Sequence, residues 1–380
     1  MFNETFDILT NNTLSRAELN YENGDYKNIH YGDVLIKFPA HIDTSSPDVP
    51  YINDENASKK FDGALLHNGD IVFADTAEDY TVGKATEIEI TAECKVVSGL
   101  HTIPCRPKMR FSPRYLGYFV NSPKYHNQLI PYIQGVKVSS ISKTLIKNTT
   151  ISYPSLEEQT KIASFLSCLD EKIAVQNKII EDLKVLKKEL CNKVFSSAEY
   201  VRLGDYITEI TTRNKANSCD NVLSVSNKMG FIKQSEQFED RTVASEDKRN
   251  YKVVTEGCFA YNPARINVGS IALLETQKVG IISPMYVCFK TSNELIADYL
   301  KFYYQSAIFF KELHKKLEGS VRQCLTYENM CEIQIPYVNV EQQRKIATAL
   351  KEFTTRIVLE EQYLRALQRQ KAYFLNAMFI

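Results

Sequence analysis

The chain has 380 residues, more than a single hydrophobic core usually organises, so we expect at least two domains. Lysine plus arginine and aspartate plus glutamate number 46 each, which excludes a chain whose net charge alone attracts it to nucleic acid or to a membrane surface. Any surface that binds nucleic acid must therefore be a local cluster of charge.

The first 110 residues contain short β-type runs such as IVFAD and TEIEIT, and a helical stretch follows near 113–130. This pattern predicts a mixed α/β globular domain over residues 1–150. A long helix is predicted within 151–197. Further β-type runs, including NVLSVS and VGIISPMYVCF, predict a second globular domain over 198–334, and a second long helix is predicted within 335–380.

The long helices belong to an internal duplication. Residues 151–195 match residues 335–379 without a gap. Identical pairs include Ile151 with Ile335, Gln159 with Gln343, Leu166 with Leu350 and Phe195 with Phe379. Weaker matches, NGDIVFADT with EGCFAYNPA and KVVSGL with VGIISPM, extend into the globular domains, so we expect two related folds with different surfaces.

Each long helix repeats apolar residues at spacings of three and four, a heptad pattern typical of helices that pack along their length. Polar residues interrupt the pattern at matched positions, Gln176 and Lys187 in the first copy and Glu360 and Lys371 in the second. We hypothesise that they set the register of an antiparallel coiled coil, with Lys187 opposite Glu360 and Gln176 opposite Lys371. The alternative is that each helix packs only on its own domain.

Polar loops of both domains carry side chains suited to DNA. Arginine can bond guanine at two points, asparagine can do the same with adenine, and lysine neutralises phosphate. The predicted contacts are Thr81, Lys84, His101, Arg106, Lys108 and Arg110 in the first domain, and Arg241, Lys248, Arg249, Tyr261, Asn262, Arg265 and Asn267 in the second. The alternative for each basic loop is a solvated surface without a ligand.

Catalytic signatures are weak. Asn262-Pro263 is similar to the start of the Asn-Pro-Pro-aromatic motif of adenine methyltransferases, but Ala264 and Arg265 follow it. The sequence shows no glycine-rich turn placed for S-adenosylmethionine, no Walker loop and no histidines at metal-ligand spacing. We therefore expect no catalytic residue, no cofactor and no metal in this chain.

The nine cysteines include no Cys-x-x-Cys pair, a pattern that fits reduced thiols. The polar start MFNETFDILTNNTLSR differs from a signal peptide, and no apolar run approaches the roughly 20 residues of a membrane span. We expect a cytoplasmic protein.

The start of each repeated helix carries a recognisable motif. It consists of Pro154, Leu156, Gln159, Lys161 and Ile162 in the first copy and of Pro336, Val340, Gln343, Lys345 and Ile346 in the second. Here the chain resembles the specificity subunit of type I restriction-modification systems. The segments ADTAEDYTVGKA, GLHTIPCRP and YNPARINVGSIA also look like target-recognition sequences of that family.

The resemblance implies an α/β (mixed α+β) fold with two target-recognition domains, 1–150 and 198–334. They would be separated by two long antiparallel helices forming a coiled coil, within conserved regions 151–197 and 335–380, in a pseudo-two-fold duplication. It implies a non-catalytic subunit that binds a bipartite target in double-stranded DNA. Two modification subunits would methylate adenine with S-adenosylmethionine, and restriction subunits would use ATP and Mg.

Two other functions remain open from the sequence. One is a coiled-coil adaptor that joins two protein ligands without DNA specificity. The other is a free-standing methyltransferase, which would require the isolated chain to bind the methyl donor.

Overall fold

The computed structural model describes residues 1–53, 59–91, 94–135, 137–196, 199–227, 229–237, 247–275, 277–318 and 323–379. The chain forms two compact units. The first comprises Met1–Asn177 together with Tyr363–Ile380, and the second comprises Lys178–Gln362. Each unit therefore contains one globular domain and parts of both long helices.

The strands of the first unit are β1 Phe6–Ile8, β2 Leu19–Asn20, β3 Tyr26–Ile29, β4 His41–Asp43, β5 Tyr51–Ile52, β6 Ile71–Ala74, β7 Thr76–Ala77, β8 Ala85–Glu89, β9 Lys95–Ser98, β10 Thr102–Pro107 and β11 Ser139–Ser140. The main sheet has the order β1-β10-β6-β8-β4, a second sheet has the order β2-β5-β3-β9, and β7 pairs with β11. Short helices span Phe2–Thr5, Tyr31–Ile36, Tyr115–Val120 and Pro123–Leu129.

The strands of the second unit are β12 Glu199–Arg202, β13 Ile207–Glu209, β14 Val222–Ser226, β15 Gly230–Lys233, β16 Lys252–Thr255, β17 Phe259–Tyr261, β18 Ile271–Leu273, β19 Val279–Ile282, β20 Val287–Thr291 and β21 Gln334–Tyr337. The main sheet has the order β13-β20-β17-β18, a second sheet has the order β15-β14-β19-β16, and β12 pairs with β21. Short helices span Gln234–Gln237, Ala297–Tyr303, Ala307–Lys316 and Tyr327–Cys331.

The two units share one topology. The order β1-β10-β6-β8 in the first main sheet corresponds to β13-β20-β17-β18 in the second. The second sheets each contain one parallel pair, β3 with β9 and β14 with β19. The weakly matched segments thus occupy equivalent strands, and the expectation of two related mixed α/β folds is confirmed.

The long helices span Leu156–Ser196, here the central helix, and Val340–Ala377, here the C-terminal helix. Equivalent residues precede them. The Glu158 backbone N–H donates to Ser155 Oγ at 3.4 Å, and the Gln342 N–H donates to Asn339 Oδ1 at 2.9 Å. Serine and asparagine are favourable at this position because their side chains accept from N–H groups that lack a partner within the helix.

A buried glutamine joins the start of each long helix to its domain. Gln159 Oε1 accepts from the Ser112 N–H at 3.0 Å, and Gln343 Oε1 accepts from the Ile296 N–H at 2.8 Å. Both amide groups donate to the turn before the helix, to Pro154 O at 2.9 Å and to Val338 O at 2.8 Å. The repeated glutamine of the sequence motif therefore attaches the start of each long helix to its own domain by hydrogen bonds.

An aromatic residue at or just beyond the far end of each long helix completes a core. The Phe379 ring lies 5.7 Å from both Tyr115 and Phe119 in the first unit. In the second unit, the Phe195 ring lies 5.2 Å from Tyr299 and 5.5 Å from Tyr303. These four partners line the equivalent short helices Tyr115–Val120 and Ala297–Tyr303.

Within the first unit the two long helices run antiparallel. Phe165 packs on Phe374 with ring centroids 4.7 Å apart, and Asp170 forms an ion pair with Lys371 at 2.5 Å. As residue numbers increase along the central helix, the numbers of the contacting residues decrease along the C-terminal helix. In the second unit, Lys184 and Glu361 form a further ion pair between the helices at 3.2 Å.

The hypothesised pairing of the lysines across the helix seam is wrong. Lys371 bonds to Asp170 instead of Gln176, and its ammonium lies 5.7 Å from the Tyr118 ring centre. Lys187 bonds to Gln305 at 3.3 Å instead of Glu360, and lies 5.4 Å from the Phe302 ring centre. For Lys371 the observed carboxylate stabilises the ammonium better than the amide of Gln176 would, and each ammonium also lies near an aromatic face. A register role for Gln176, Lys187, Glu360 and Lys371 stays a prediction.

None of the helices in the described ranges is long and apolar enough to cross a membrane. The mixed α+β class, with two globular domains and long helices that run antiparallel inside the first unit, is confirmed.

Candidate nucleic-acid interface

Equivalent loops lie at one end of each main sheet, which we call the loop end. In the first unit it comprises residues 75–84, between β6 and β8, and residues 99–101, between β9 and β10. In the second unit it comprises residues 262–270, between β17 and β18, and residues 283–286, between β19 and β20. Because β3 runs parallel to β9, the end of β3 and the following helix Tyr31–Ile36 lie at the loop end of the first unit. Because β16 runs antiparallel to β19, the start of β16 lies at the loop end of the second unit.

Loop 262–270 of the second unit is held in one shape by its own backbone. The Asn262 N–H donates to Ser270 O at 3.1 Å, and the Asn262 side chain accepts from the Ala264 N–H at 3.0 Å. Buried Ile266 anchors the loop, and Gly269 adopts a φ of 86°, a region that favours glycine. The loop therefore displays its exposed side chains from a fixed frame.

Loop 75–84 of the first unit is closed in the same manner. The Ala74 N–H donates to Lys84 O at 2.8 Å, Val82 is buried, and Gly83 has a φ of 87°. Tyr80 is 77% exposed at the tip, beside Thr81, whose N–H donates to Asp79 Oδ1 at 2.9 Å. Equivalent frames thus present different side chains.

Two predicted DNA contacts in the second unit are exposed and available to a ligand. The side chains of Arg265 and Asn267 are exposed and make no hydrogen bond or ion pair within the described residues. Lys248 and Arg249, in the turn before β16, lie at the same end but pair with Asp220 and Asp247, each at 3.0 Å. Arg241 lies outside the described residues.

Tyr261 is not a DNA contact but part of the core. Its side chain is fully buried, and its hydroxyl donates to Thr326 O at 3.1 Å. Burial raises the pKa of Tyr261 far above its usual value. The Asn262 Oδ1 atom accepts a hydrogen bond inside the loop, so the prediction of DNA contact is corrected for Tyr261 and stays a prediction for Asn262.

In the first unit the predicted contacts divide between opposite ends of the sheet. Lys84 and His101 lie at the loop end, where Lys84 Nζ donates to Leu35 O at 2.8 Å and His101 Nδ1 lies 3.3 Å from Asp75 Oδ1. Burial lowers the pKa of Lys84. Both groups are held by neighbours, and Thr81 stands beside them in the loop.

The basic run at 106–110 lies at the other end, because β10 runs away from His101 as far as Pro107. Six residues of strand extend roughly 20 Å. Arg106 forms two bonds to Asp70, at 2.8 and 3.0 Å, and Lys108 pairs with Asp7 at 3.2 Å, while Arg110 is exposed. The structure therefore does not bring Arg106, Lys108 and Arg110 together with His101, and their contact with DNA stays a prediction.

The structure also brings together residues that sequence reasoning missed. Arg16, Tyr21, Asp33 and Lys37 form one cluster near the first loop end. They come from three different local elements, and no sequence signal joins them. In the described ranges, no group of three or more His, Cys, Asp or Glu residues is arranged to hold a metal ion.

Two equivalent domains that differ in their exposed loops define a class of protein with two recognition modules. A family model described as type I restriction modification DNA specificity domain matches residues 3–185 and 196–369. The chain therefore belongs to this family of type I restriction-modification specificity proteins, and the resemblance found in the sequence is confirmed.

Individual relatives agree with this family. The chain is 26% identical over 338 residues to the putative type I restriction enzyme MjaX specificity subunit of Methanocaldococcus jannaschii, covering 82% of this chain and 77% of that protein. It shares its fold with the S subunit of a type I system from M. genitalium, with a TM-score of 0.58 and 14% identity over 100% of this chain and 95% of that chain. A structure on complex assembly and conformational transition of the type I R-M system gives a TM-score of 0.55 and 18% identity over 93% and 90%.

Proposed function

We propose that this chain is the non-catalytic DNA-recognition subunit of a type I restriction-modification complex, and that its two units read the two halves of a bipartite target. The observation that carries the proposal is the pair of equivalent loops, 75–84 and 262–270. Each has the same backbone closure and a left-handed glycine, and each presents different exposed side chains. Two modules with one frame and two surfaces suit two different half-sites.

The second unit has the clearer readout chemistry. The guanidinium of Arg265 has no partner in the described part of the chain and can bond the O6 and N7 atoms of guanine, and Asn267 can bond adenine in the same bidentate manner. In the first unit, Tyr80 and Thr81 offer an aromatic face and a hydroxyl. The neighbouring carboxylates of Glu78 and Asp79 can accept from the amino group of cytosine.

The chemistry of modification and cleavage belongs to partner subunits in this proposal. Two modification subunits dock on the repeated helices and methylate adenine with S-adenosylmethionine, and restriction subunits use ATP and Mg. The long helices act as a coiled-coil spacer in a cytoplasmic complex. Membership of the family supports this assignment.

The test is to co-express the chain with the modification subunits of its own system and to map methylated adenines across the host DNA. We expect one split motif with two short defined halves and an unspecified gap. Replacing loop 262–270 by a glycine-serine loop of equal length should change one half of the motif only. Methylation without sequence preference would favour the protein adaptor and overturn the proposal.

A further inference from the structure

Two cations in the first unit share one buried carboxylate. Asp33 is 1% exposed, and its Oδ1 atom lies 2.7 Å from Arg16 Nη2 and 3.5 Å from Lys37 Nζ. Its Oδ2 atom has no hydrogen-bond partner within the described residues. A buried carboxylate needs compensating charge, so Asp33 holds both cations firmly.

Tyr21 fixes the same two cations from the outside. Its hydroxyl accepts from Arg16 Nη1 and from Lys37 Nζ, each at 2.9 Å, and the Lys37 ammonium lies 4.7 Å from the centre of its ring. The side chains of Arg16 and Lys37 are nevertheless both 43% exposed. The pair is thus preorganised and open to a ligand, and the cluster carries a net charge of one positive unit because Asp33 neutralises only one of the cations.

The cluster lies at the loop end. Asp33 belongs to the helix Tyr31–Ile36, which Lys84 joins to loop 75–84 through its bond to Leu35 O at 2.8 Å. The Tyr31 ring packs edge-on against His101 at 5.3 Å. Arg16 and Lys37 therefore flank the loop that we propose reads one half-site.

Loop 75–84 itself is poorly suited to the DNA backbone. It exposes Glu78 and Asp79, where loop 262–270 exposes Arg265. Hydrogen bonds from Thr81 lower the pKa of Asp79, so this carboxylate is charged at neutral pH. Negative charge at the tip repels phosphate, and the attraction that holds DNA to this unit must come from cations beside the loop.

We propose that Arg16 and Lys37 form the phosphate-binding pair of the first unit and position loop 75–84 on the target through the DNA backbone. This inference rests on the proposed function. The guanidinium offers a planar fork to a phosphate and the ammonium a point charge, and neither contact selects a base.

The test is Lys37→Gln in the full chain, assembled with its modification subunits and bound to its own target duplex over a range of salt concentrations. This variant leaves Arg16 to neutralise Asp33, so the fold is retained. We expect weaker binding on the target and on base-changed duplexes alike. The slope of log K against log salt should become shallower by about 0.9, the value for one lost phosphate contact on duplex DNA.

Lys108→Gln is the matched control. Lys108 is 39% exposed and also pairs with an aspartate, but it lies at the opposite end of the main sheet. Its salt slope should equal that of the wild type. Arg16→Lys keeps a cation on Asp33 and should keep the wild-type slope with weaker binding, because the fork is lost.

Three outcomes separate this inference from the function on which it rests. An unchanged slope for Lys37→Gln in a sequence-specific complex overturns the phosphate pair and leaves the function intact. A preference lost at one half-site with no change in slope makes Lys37 a base contact and also overturns the pair. A wild type without sequence preference overturns the proposed function, whereas a shallower slope for Lys37→Gln on any duplex still supports the phosphate contact.

Discussion

At the scale of single residues, an arginine whose guanidinium is held at two points by a carboxylate is less available for base readout than an arginine without a partner. Arg106 already has a bidentate carboxylate partner, so a phosphate would have to displace Asp70. Arg265 has no such partner in the described residues and stands on a loop of fixed shape. It is therefore the strongest candidate for direct base readout.

We expect Arg265→Ala to relax the methylation motif at one base pair of one half-site, with a loss of about 1–3 kcal/mol in discrimination, because a bidentate contact to guanine is lost. Arg265→Lys keeps the charge and should relax the same position. Sequencing of methylated DNA from cells that carry each variant gives the motif. Uniform weakening over all sequences, with an intact motif, would make Arg265 a phosphate contact.

Glu87 provides a prediction about pH. Burial raises its pKa from 4.5 to about 7, although it accepts backbone N–H bonds from Arg114 at 2.6 Å and Gly117 at 2.8 Å. The folded protein thus binds this proton more tightly than the unfolded chain. The stabilisation is complete below about pH 4.5 and is lost as the pH rises through about 7, with a magnitude on the order of 3 kcal/mol.

Glu87→Gln should therefore remove part of the decrease in unfolding free energy between pH 5 and pH 8, as measured by denaturant titration. The exposed Glu157→Gln is the control and should retain the wild-type decrease. Equal pH dependence in the wild type and Glu87→Gln would show that Glu87 is ionised in the folded protein across this range.

At the scale of elements, the repeated motif fastens each long helix to its domain. Gln343 is fully buried and also donates to Glu294 O at 3.0 Å, so it satisfies one N–H and two carbonyl groups of the segments beside the helix. A side chain that replaces three backbone partners at one point fixes both the position and the direction of the helix. Gln159 makes the two equivalent bonds, to the Ser112 N–H and to Pro154 O, which explains why both copies carry a glutamine at this position.

We expect Gln343→Leu to lower the free energy of unfolding of the second unit by about 3 kcal/mol, because buried backbone groups lose their partner. Gln342→Leu is a matched control on the exposed face of the same helix and should change stability by less than about 0.5 kcal/mol. Denaturant unfolding followed by circular dichroism measures both. Similar losses of unfolding free energy for the two variants would contradict the role of Gln343 in attaching the helix to its domain.

At the scale of the whole molecule, the duplication combines a repeated frame with two separate surfaces. The central and C-terminal helices have 41 and 38 residues, far above the usual three or four turns. In the proposed function their length determines the gap between the half-sites.

Removal of one heptad from each long helix shortens the spacer by about 10 Å, which corresponds to about three base pairs of DNA. The methylated motif of this variant should keep both half-sites and have a gap shorter by about three base pairs. Removal of five residues from each helix rotates the apolar stripe by about 140° and should abolish assembly instead. A heptad variant with an unchanged gap would contradict the spacer.

The parts of the structure that follow from local patterns could be predicted from the sequence. The helix bounds follow from heptads, and the related domains follow from matches such as KVVSGL with VGIISPM.

Tyr261 was misassigned because a residue at the end of a strand can face the core or the solvent. The separation of Arg106 from His101 could not be predicted because the direction of β10 depends on sheet topology. The Arg16 and Lys37 pair could not be found because Asp33 joins segments with no common motif.

The composition of the two units has a consequence for synthesis on the ribosome. The second unit is continuous from Lys178 to Gln362, so all its segments are translated before the C-terminal segment Tyr363–Ile380 of the first unit. The first unit is begun earlier, but the core around Tyr115 and Phe119 is completed only by Phe379, which is translated after the whole of the second unit. Of the two units, the one whose translation starts first is therefore completed second, and a chain truncated before Phe379 leaves the aromatic core around Tyr115 and Phe119 open.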